Sequence, residues 1–409
     1  MAANTSGKPR FLHYVIKTIL QVVRQFMFFS RKAEPVAQKV AAILANYFSI
    51  STDETLLWCS SIEDSRSNAS ARDAGSSDKS QTVQVTLPFC MNSQLAHLKD
   101  VVISELKSQL KSEFHSSQLV FTTQITSQHT KLPPITNIKN IIAVASGKGG
   151  VGKSTTSINL AFALMKEGAR VGILDADIYG PSIPIMLGNT NVHPESEDNK
   201  HMQPLEAHGL VANSIGYLVP QDDAAVWRGP MASRALTQLL NETLWPVLDY
   251  LIVDMPPGTG DIQLTMAQQV PLTAAVIVTT PQDLALADAQ KGISMFEKVD
   301  VPVLGLVENM SYYQCRACGT KDYVFSRDGG EQLAERHGLP LLGQLPLDIH
   351  IREHGDAGTP LLIGAPESPI AASYQEAARA ISMQLAFTLS PRENSNKHIK
   401  GDPIGIVGS

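Results

Sequence analysis

The hydrophobic residues of the last two thirds of the chain fall into short unbroken runs separated by helical stretches. Runs of Val, Ile, Leu and Ala without alternation are typical of strands that are buried on both faces. They predict strands at residues 141–145, 171–175, 250–254, 274–279, 301–307 and 341–345. Helices are predicted at 154–167, which has a broad apolar face, and at 369–387. This alternation predicts an α/β fold, a mainly parallel sheet covered by helices on both faces.

A smaller region with a different pattern precedes this one. Residues 81–87 alternate between polar and apolar side chains, which predicts a strand. Residues 93–114 carry Leu and Val at helical spacing, and residues 118–123 form a second strand-like run. Strand, helix and strand together predict a small α/β module over residues 81–126.

The remaining segments lie outside these two regions. Residues 61–80 are polar and rich in serine, so we expect a flexible linker. Residues 1–60 form an N-terminal extension, and its basic, apolar stretch 11–29 predicts a helix that docks on protein, lies at an interface or serves as an organelle-targeting peptide. Of these we favour docking. The main domain is expected over residues 135–390, and residues 391–409 are expected to be a loose tail.

Composition narrows the class of protein. The chain has 409 residues and a formal net charge of −6, which argues against a general nucleic-acid binder. It contains no run of eighteen uncharged apolar residues, so no transmembrane segment is expected. Its four cysteines are too few for a disulfide scaffold. We therefore expect a reducing compartment, the cytoplasm first and an organelle matrix as the alternative.

Residues 147–155 read Gly-Lys-Gly-Gly-Val-Gly-Lys-Ser-Thr and match the phosphate-binding loop G-x-x-x-x-G-K-[ST]. The motif lies between a predicted strand and a predicted helix, as it requires. Its glycines let backbone N–H groups point at phosphate oxygens, Lys153 reaches the β- and γ-phosphates, and the Ser154 hydroxyl is offered to Mg²⁺. The predicted nucleotide-binding residues are Gly147, Gly149, Gly150, Val151, Gly152, Lys153, Ser154 and Thr155.

Acidic residues follow two of the predicted strands. Asp175 and Asp177 lie in Leu174-Asp-Ala-Asp, and Asp254 ends Leu251-Ile-Val-Asp. A carboxylate after a hydrophobic strand is the Walker B arrangement, which holds Mg²⁺ and its waters. Caps and turns are the commoner role of an aspartate at a strand end, but the phosphate-binding loop upstream favours the nucleotide role.

Cys315 and Cys318 form a C-x-x-C pair, which we expect to follow residues 310–314 in a loop. The spacing alone fits half of a zinc site, a redox pair or chance. A structural zinc site needs four protein ligands, and no histidine lies at ligand-like spacing. Two chains that each give two thiolates would make a Cys₄ set, which suits a [4Fe–4S] cluster. Cys90 is expected to be a buried core residue.

Five motifs in order resemble the Mrp/ApbC family of P-loop ATPases that carry iron–sulfur clusters, kin to MinD, ParA and the nitrogenase iron protein. They are Gly147–Thr155, Asp175-Ala-Asp-Ile-Tyr-Gly-Pro-Ser, Trp227-Arg-Gly-Pro-Met, Asp254-Met-Pro-Pro-Gly-Thr-Gly-Asp, and Glu308-Asn-Met-Ser with the two cysteines. The resemblance covers about residues 135–385. The module at 81–126 looks like a degenerate form of the small domain that often precedes the ATPase in bacterial members.

The resemblance implies a homodimeric ATPase with ATP, Mg²⁺ and a [4Fe–4S] cluster, which delivers the cluster to apo iron–sulfur proteins. It implies that Lys148 reaches the partner's nucleotide and Asp177 orients the attacking water. Asp175 and Asp254 would serve the Mg²⁺ shell, and Asn309 would face the adenine. Because Asn309 and the cysteines share one segment, nucleotide state is expected to affect the cluster site.

The alternative is a ParA- or MinD-like switch that positions cargo on DNA or membrane. Proteins of that class usually end in an amphipathic helix or carry a basic surface. Residues 370–409 show neither feature clearly, and the two cysteines would have no role in such a switch.

Overall fold

A computed structural model describes residues 35–63, 81–110, 119–218 and 229–389. The predicted helix at 11–29, most of the linker, the tail at 391–409, and Trp227 and Arg228 lie outside the described residues. The described chain divides into two units. One contains residues up to Thr86 together with His97–Thr122, and the other contains Leu87–Ala96 and everything from Thr123 onward.

The first unit is built around a three-stranded sheet in the order β1-β2-β3. Val83 and Val85 of β2 are buried, and so are Leu98, Val102 and Leu106 on one side of α3. The elements that begin or lie in this unit are α1 (Pro35–Phe48), α2 (Thr52–Leu56), β1 (Cys59–Glu63), β2 (Gln81–Leu87), α3 (Asn92–Leu110) and β3 (Leu119–Thr123).

Strand β1 was not predicted, and it takes up residues assigned to the extension and to the start of the linker. It pairs antiparallel with β2, from Cys59 opposite Val85 to Glu63 opposite Gln81. Its sequence, Cys-Ser-Ser-Ile-Glu, has a single aliphatic residue. A polar edge strand of this kind has the composition of a linker, and only its pairing with β2 identifies it.

The second unit contains a nine-stranded sheet in the order β11-β10-β9-β4-β8-β5-β7-β6, with β12 also paired to β10. All pairings are parallel except those of the edge strands β11 and β6. The strands are β4 (Ile138–Ala145), β5 (Val171–Asp175), β6 (Leu205–Ala207), β7 (Leu210–Ser214), β8 (Leu248–Asp254), β9 (Ala274–Thr279), β10 (Val303–Gln314), β11 (Lys321–Asp322) and β12 (Leu341–Pro346).

Helices cover both faces of this sheet, which confirms the predicted fold class. Ile142 and Val144 of β4 belong to one hydrophobic cluster, while Ile141 and Ala143 belong to the other. The helices are α4 (Lys153–Lys166), α5 (Ile183–Met186), α6 (Gly229–Glu242), α7 (Asp261–Gln269), α8 (Asp283–Lys298), α9 (Gly329–His337), α10 (Ile349–Asp356), α11 (Leu361–Gly364) and α12 (Pro369–Thr388). Among the described ranges, none of the helices combines the length and apolar character that crossing a membrane requires.

The segment before the two cysteines differs from the prediction. The predicted strand ended at residue 307, but β10 continues to Gln314, and the two cysteines follow it in a loop. The strand is longer than predicted because its last part is stabilised by partners distant in sequence. Tyr312 pairs with Pro346 of β12, and Tyr313 and Gln314 pair with β11.

A charged cluster around the buried Asp249 links the starts of β4 and β8 to the residue before β5, at the edge of the sheet opposite the phosphate-binding loop. Arg170 donates from Nε to Asp249 Oδ2 and from Nη2 to Oδ1, both at 3.0 Å. Lys139 Nζ lies 2.8 Å from Asp249 Oδ1. Burial acts to raise the pKa of Asp249, but Arg170 and Lys139 outweigh it and hold the pKa below its usual value.

Replacing Asp249 with alanine is expected to lower the free energy of unfolding by roughly 3–5 kcal/mol, because two cations lose their carboxylate partner. Since the folded-state pKa is lowered, the cluster stabilises fully above the usual aspartate value of about 3.9. That stabilisation is lost as the pH falls through the folded-state pKa. Urea unfolding of wild type and variant at pH 7 and pH 3 measures both effects.

The matched control is Asp356→Ala, which removes a carboxylate from an exposed pair with Arg352 on α10. Exposed pairs contribute about 1 kcal/mol or less, so this variant should unfold close to wild type. An equal decrease in the free energy of unfolding in the two variants would contradict a special role for Asp249.

Candidate functional site

The phosphate-binding loop connects β4 to α4 at the carboxyl edge of the sheet, and two of its glycines are sterically required. Gly152 has a φ of +79°, and an added Cβ would overlap the amide of Asn309. A Cβ on Gly147 would overlap the backbone of Asp288 in α8. The loop is therefore wedged between α8 on one side and β10 on the other.

Changing Gly147 to alanine is expected to destabilise the nucleotide-free protein by about 1–3 kcal/mol, the usual cost of forcing extra volume into a packed site. The obstructing atoms belong to backbone and cannot rotate away. Gly149→Ala is the control, because the nearest atom to its added Cβ is 4.0 Å away. Thermal unfolding without nucleotide compares the melting temperatures of the two variants. Equal melting temperatures would contradict the close packing of the loop at Gly147.

Lys153 and two serines of α4 surround Asp254, the last residue of β8. Lys153 Nζ lies 2.8 Å from Asp254 Oδ1. The Ser154 hydroxyl donates to Oδ2 at 2.5 Å, and the Ser157 hydroxyl donates to Oδ1 at 2.6 Å. Asp254 is fully buried. Ser157 was missed in the sequence, although its position three residues after Ser154 places it on the same side of the helix.

Asp175 and Asp177 adjoin this cluster from the neighbouring strand. Asp175 lies directly opposite Asp254 in the register of β5 and β8. Its carboxylate accepts hydrogen bonds from the backbone N–H groups of Asp177, Ser182 and Ile183 and from the Ser214 hydroxyl. Ser214 ends β7, and nothing in the local sequence marks it as a partner of Asp175.

Burial and charge raise the pKa values of both residues. Burial raises the pKa of Asp175, and the negative charge of Asp254 adds to that effect. Burial also raises the pKa of Asp177, while Lys153, whose Nζ lies 3.8 Å from its carboxylate, acts in the opposite direction. The site thus gathers three carboxylates around one buried lysine, an excess of negative charge that suits a divalent cation.

The donors of this site fit Mg²⁺ better than a soft metal. They are hard oxygens, and the Ser154 hydroxyl and Asp254 carboxylate lie within hydrogen-bonding distance. In the described ranges, no three His, Cys, Asp or Glu side chains are arranged to hold a metal ion by themselves. Mg²⁺ commonly takes one or two protein ligands and completes its shell with water and phosphate oxygens, so this donor set is sufficient.

Beside these carboxylates lies a cleft of about 350 Å³. Tyr179, from the loop after β5, borders it on one side. Pro256, Pro257 and the first turn of α7 border it on the other. The loops that carry Asp177 and Asp254 therefore adjoin open space.

The other predicted nucleotide contacts lie on the loop in differing environments. Gly149 and Gly150 are exposed, Val151 is buried, and Thr155 is half-buried. Lys148 is half-buried, and its ammonium group makes no ion pair within the described part of the chain. Asn309 is buried, and its amide donates to Val151 O at 2.8 Å. Its contact with adenine stays a prediction, while its contact with the loop backbone is direct.

The two cysteines occupy the tip of a β-hairpin made by β10 and β11. Cys315 N donates to Thr320 O at 2.9 Å, and Gly319 N donates to Cys315 O at 2.8 Å. Cys315 is half-buried and Cys318 is exposed. Contacts with Thr320 and the Cys315 thiol lower the pKa of Cys318, which favours its thiolate. One chain therefore presents two thiols, with no third metal-binding side chain beside them among the residues that are described.

The other two cysteines lie elsewhere. Cys90 is fully buried, where its backbone N–H donates to the Ser382 hydroxyl at 3.0 Å. Burial raises its pKa to about 12, so it is an inert thiol of the core. Cys59 is half-buried at the start of β1, in the first unit.

Comparison with known proteins finds a family model and several relatives that are similar to this chain. The family model described as ParA, NUBPL iron-transfer P-loop NTPase, matches residues 137–382. The chain is 52% identical over 320 residues to an iron-sulfur cluster carrier protein of Haemophilus influenzae, covering 78% of this chain and 86% of the relative. It is 55% identical over 308 residues to the protein of the same description in Escherichia coli, covering 75% and 84%.

A solved structure is similar as well. The nucleotide-binding protein of Archaeoglobus fulgidus, in complex with ADP, is 36% identical and superimposes with a TM-score of 0.51. The match covers 58% of this chain and 91% of that protein.

Proposed function

Because the chain belongs to the ParA family of iron-transfer P-loop NTPases, we propose that it hydrolyses ATP and carries a labile [4Fe–4S] cluster. The cluster would be bound at a homodimer interface and transferred to apo iron–sulfur proteins. The observation that carries the proposal is the pair of thiols at the tip of a hairpin whose first strand also contacts the phosphate-binding loop.

The nucleotide part of the proposal rests on the side chains that surround Asp254. Phosphoryl transfer depends on positioning and on neutralising charge rather than on covalent steps. Lys153 would exchange its contact with Asp254 for the β- and γ-phosphate oxygens. Ser154 would hold Mg²⁺, with Asp254 and Asp175 orienting its waters, and the ion when bound would neutralise charge that develops on the phosphates.

Asp177 is the proposed residue that orients the attacking water. It lies 3.8 Å from Lys153 on the loop that carries Tyr179 to the cleft, and burial raises its pKa above that of an ordinary aspartate. A carboxylate with a raised pKa accepts a proton more readily at neutral pH. Its hydrogen-bonding group is therefore suited to hold a water molecule in line with the γ-phosphate.

The [4Fe–4S] cluster would be cargo that the protein carries and releases. A [4Fe–4S] cluster commonly takes four thiolates, and each chain supplies Cys315 and Cys318. A second copy of the chain would complete the set. Lys148, whose ammonium group makes no ion pair in the described ranges, is proposed to reach the nucleotide of that second copy.

The cellular setting follows from the same chemistry. Four free thiols and a nucleotide site suit a reducing compartment, and we propose the cytoplasm, with an organelle matrix as the alternative.

Anaerobic reconstitution with iron and sulfide tests the function. We expect about four iron and four sulfide per two chains, and transfer of the cluster to an apo-enzyme that is inactive without one. Iron, sulfide and zinc are measured together with the molar mass in solution. Stoichiometric zinc without sulfide would overturn the carrier function, and a cluster bound by a monomer in every nucleotide state would overturn the shared site.

A further inference from the structure

Strand β10 contains a bulge where it passes the phosphate-binding loop. From Glu308 to Tyr312 it advances four residues while its partner β12 advances two. Met310, inside the bulge, has a φ of +53°, a left-handed conformation that is uncommon for a residue with a side chain. The bulge lifts Asn309 out of the ladder, and its amide contacts Val151 O.

A buried carboxylate closes this bulge. Glu308 is 1% exposed, and its Oε1 accepts the backbone N–H of Gly330 in the first turn of α9 at 2.6 Å. Its Oε2 accepts the Ser311 hydroxyl at 2.5 Å and Gln344 Nε2 at 3.2 Å. We call these four residues the Glu308 cluster. Its three donors come from the bulge itself, from β12 and from α9, and all of them are uncharged.

The bond between Glu308 and Ser311 depends on the bulge. In a regular strand these two side chains would point to opposite faces, because their separation of three residues is odd. The bulge brings both to the same side. If the bulge were to open, the buried carboxylate would lose a donor, and an underbonded buried charge is strongly unfavourable. Glu308 and Ser311 therefore favour one register of the strand.

The register of β10 affects the orientation of the thiols, because Cys315 directly follows this strand. A slip of one residue in a strand turns every later side chain to the other face. Beyond the bulge, Tyr312 O accepts the N–H of Leu347 at 2.7 Å, and Arg316 lies 3.2 Å from Asp348. The hairpin is thus anchored at both sides of Cys315 to the segment that leads into α10.

We propose that Glu308 and Ser311 are positioning residues that couple the phosphate-binding loop to the thiols of Cys315 and Cys318. Nucleotide bound at the loop acts on Asn309, and the bulge transmits the change to the register of the hairpin. The inference rests on the proposed function for its biological meaning. The physical coupling can be tested without a cluster.

The test compares full-length apo-protein with and without MgADP. N-ethylmaleimide labels the thiols, and mass spectrometry follows the rate at Cys315 and Cys318 separately. Ser311→Ala removes one hydroxyl from the cluster, and Glu308→Gln keeps the shape of the side chain but removes its charge. Ser382→Ala is the matched control, since it removes a fully buried hydroxyl that contacts Cys90 and Tyr250 instead.

In wild type and in Ser382→Ala we expect MgADP to change the labelling rate about fivefold or more, the lower end of common coupling strengths. In Ser311→Ala, MgADP should change the labelling rate by less than about twofold. The Kd for MgADP should change by less than about threefold. Glu308→Gln should behave in the same way where it folds. Loss of the MgADP effect in Ser311→Ala alone would indicate a positioning role, because a general loss of stability would reduce the effect in Ser382→Ala as well.

Two results would overturn the inference: no effect of MgADP on labelling in wild type, or a wild-type ratio in Ser311→Ala. Reconstitution is run on the same samples, and transfer rates are compared with ATP, ADP and no nucleotide. If wild type binds no cluster, the carrier function fails, while the labelling ratio still decides whether the two sites are coupled.

Discussion

Replacing Lys153 with alanine is expected to lower the rate of ATP hydrolysis at least 10²–10³-fold, the usual effect of removing one group that stabilises developing charge. Lys153 is the cation that lies within 4 Å of both Asp254 and Asp177. Without it, the phosphates would enter a site of three buried carboxylates. Phosphate release at saturating MgATP measures the rate, and titration with a fluorescent nucleotide measures binding separately.

The same change should also lower stability in a manner that depends on pH. Lys153 lowers the pKa values of Asp175 and Asp177, so its removal raises values that burial has already raised. A buried aspartate with a raised folded-state pKa binds a proton on folding, and it opposes folding as the pH rises past its usual value. The stability deficit of the variant is therefore expected to be larger at pH 8 than at pH 5.

Lys166→Ala is the matched control, because Lys166 ends the helix that Lys153 begins. Its ammonium group pairs with Glu367 near the surface, away from the carboxylates. It should hydrolyse ATP at nearly the wild-type rate and show no difference in stability deficit between pH 5 and pH 8. Hydrolysis by the Lys153 variant within tenfold of wild type would refute the proposed role.

Replacing Cys315 or Cys318 with serine is expected to remove nearly all iron and sulfide after anaerobic reconstitution. Each chain supplies two thiols, so one substitution would remove half of the four thiolates of the proposed shared site. A hydroxyl does not replace a thiolate in holding iron, since soft sulfur ligands select such clusters. Iron and sulfide assays, together with the visible absorbance of the cluster, give the content per chain.

Cys59→Ser is the control for this experiment, because Cys59 is a half-buried thiol in the other unit. It should retain the wild-type content, and ATP hydrolysis by the Cys315 variant should stay measurable since Lys153 and Asp254 are untouched. A Cys315→Ser protein with full iron and sulfide would show that other ligands hold the cluster.

Much of the fold could be predicted because its strands are hydrophobic without alternation. The runs at 141–145 and 250–254 become β4 and β8, the central parallel pair. The meeting of Asp175 and Asp254 was implied by two carboxylates at the ends of parallel strands, and the register places them directly opposite each other. Short-range patterns were sufficient where the residues that decide a structure are near in sequence.

The remaining features depend on partners that are distant in sequence. The end of β10 has mixed polar and aromatic residues, and it is a strand because β11 and β12 pair with it. Glutamate is usually a surface residue, yet Glu308 is buried and accepts hydrogen bonds from Gly330 and Gln344. Ser214 ends the neighbouring strand β7 and donates to Asp175 at the end of β5, although 39 residues separate the two in sequence. No local periodicity reports such contacts.

The two strands of the hairpin that carries the cysteines pair at two positions, Tyr313 with Asp322 and Gln314 with Lys321. The six residues between these pairs add nothing to either hydrophobic core. Evolution could therefore alter, lengthen or exchange this tip without rebuilding the P-loop NTPase domain beneath it. A lineage could change what this tip binds by altering one short turn, and an engineer could graft a new metal-binding loop at the same point.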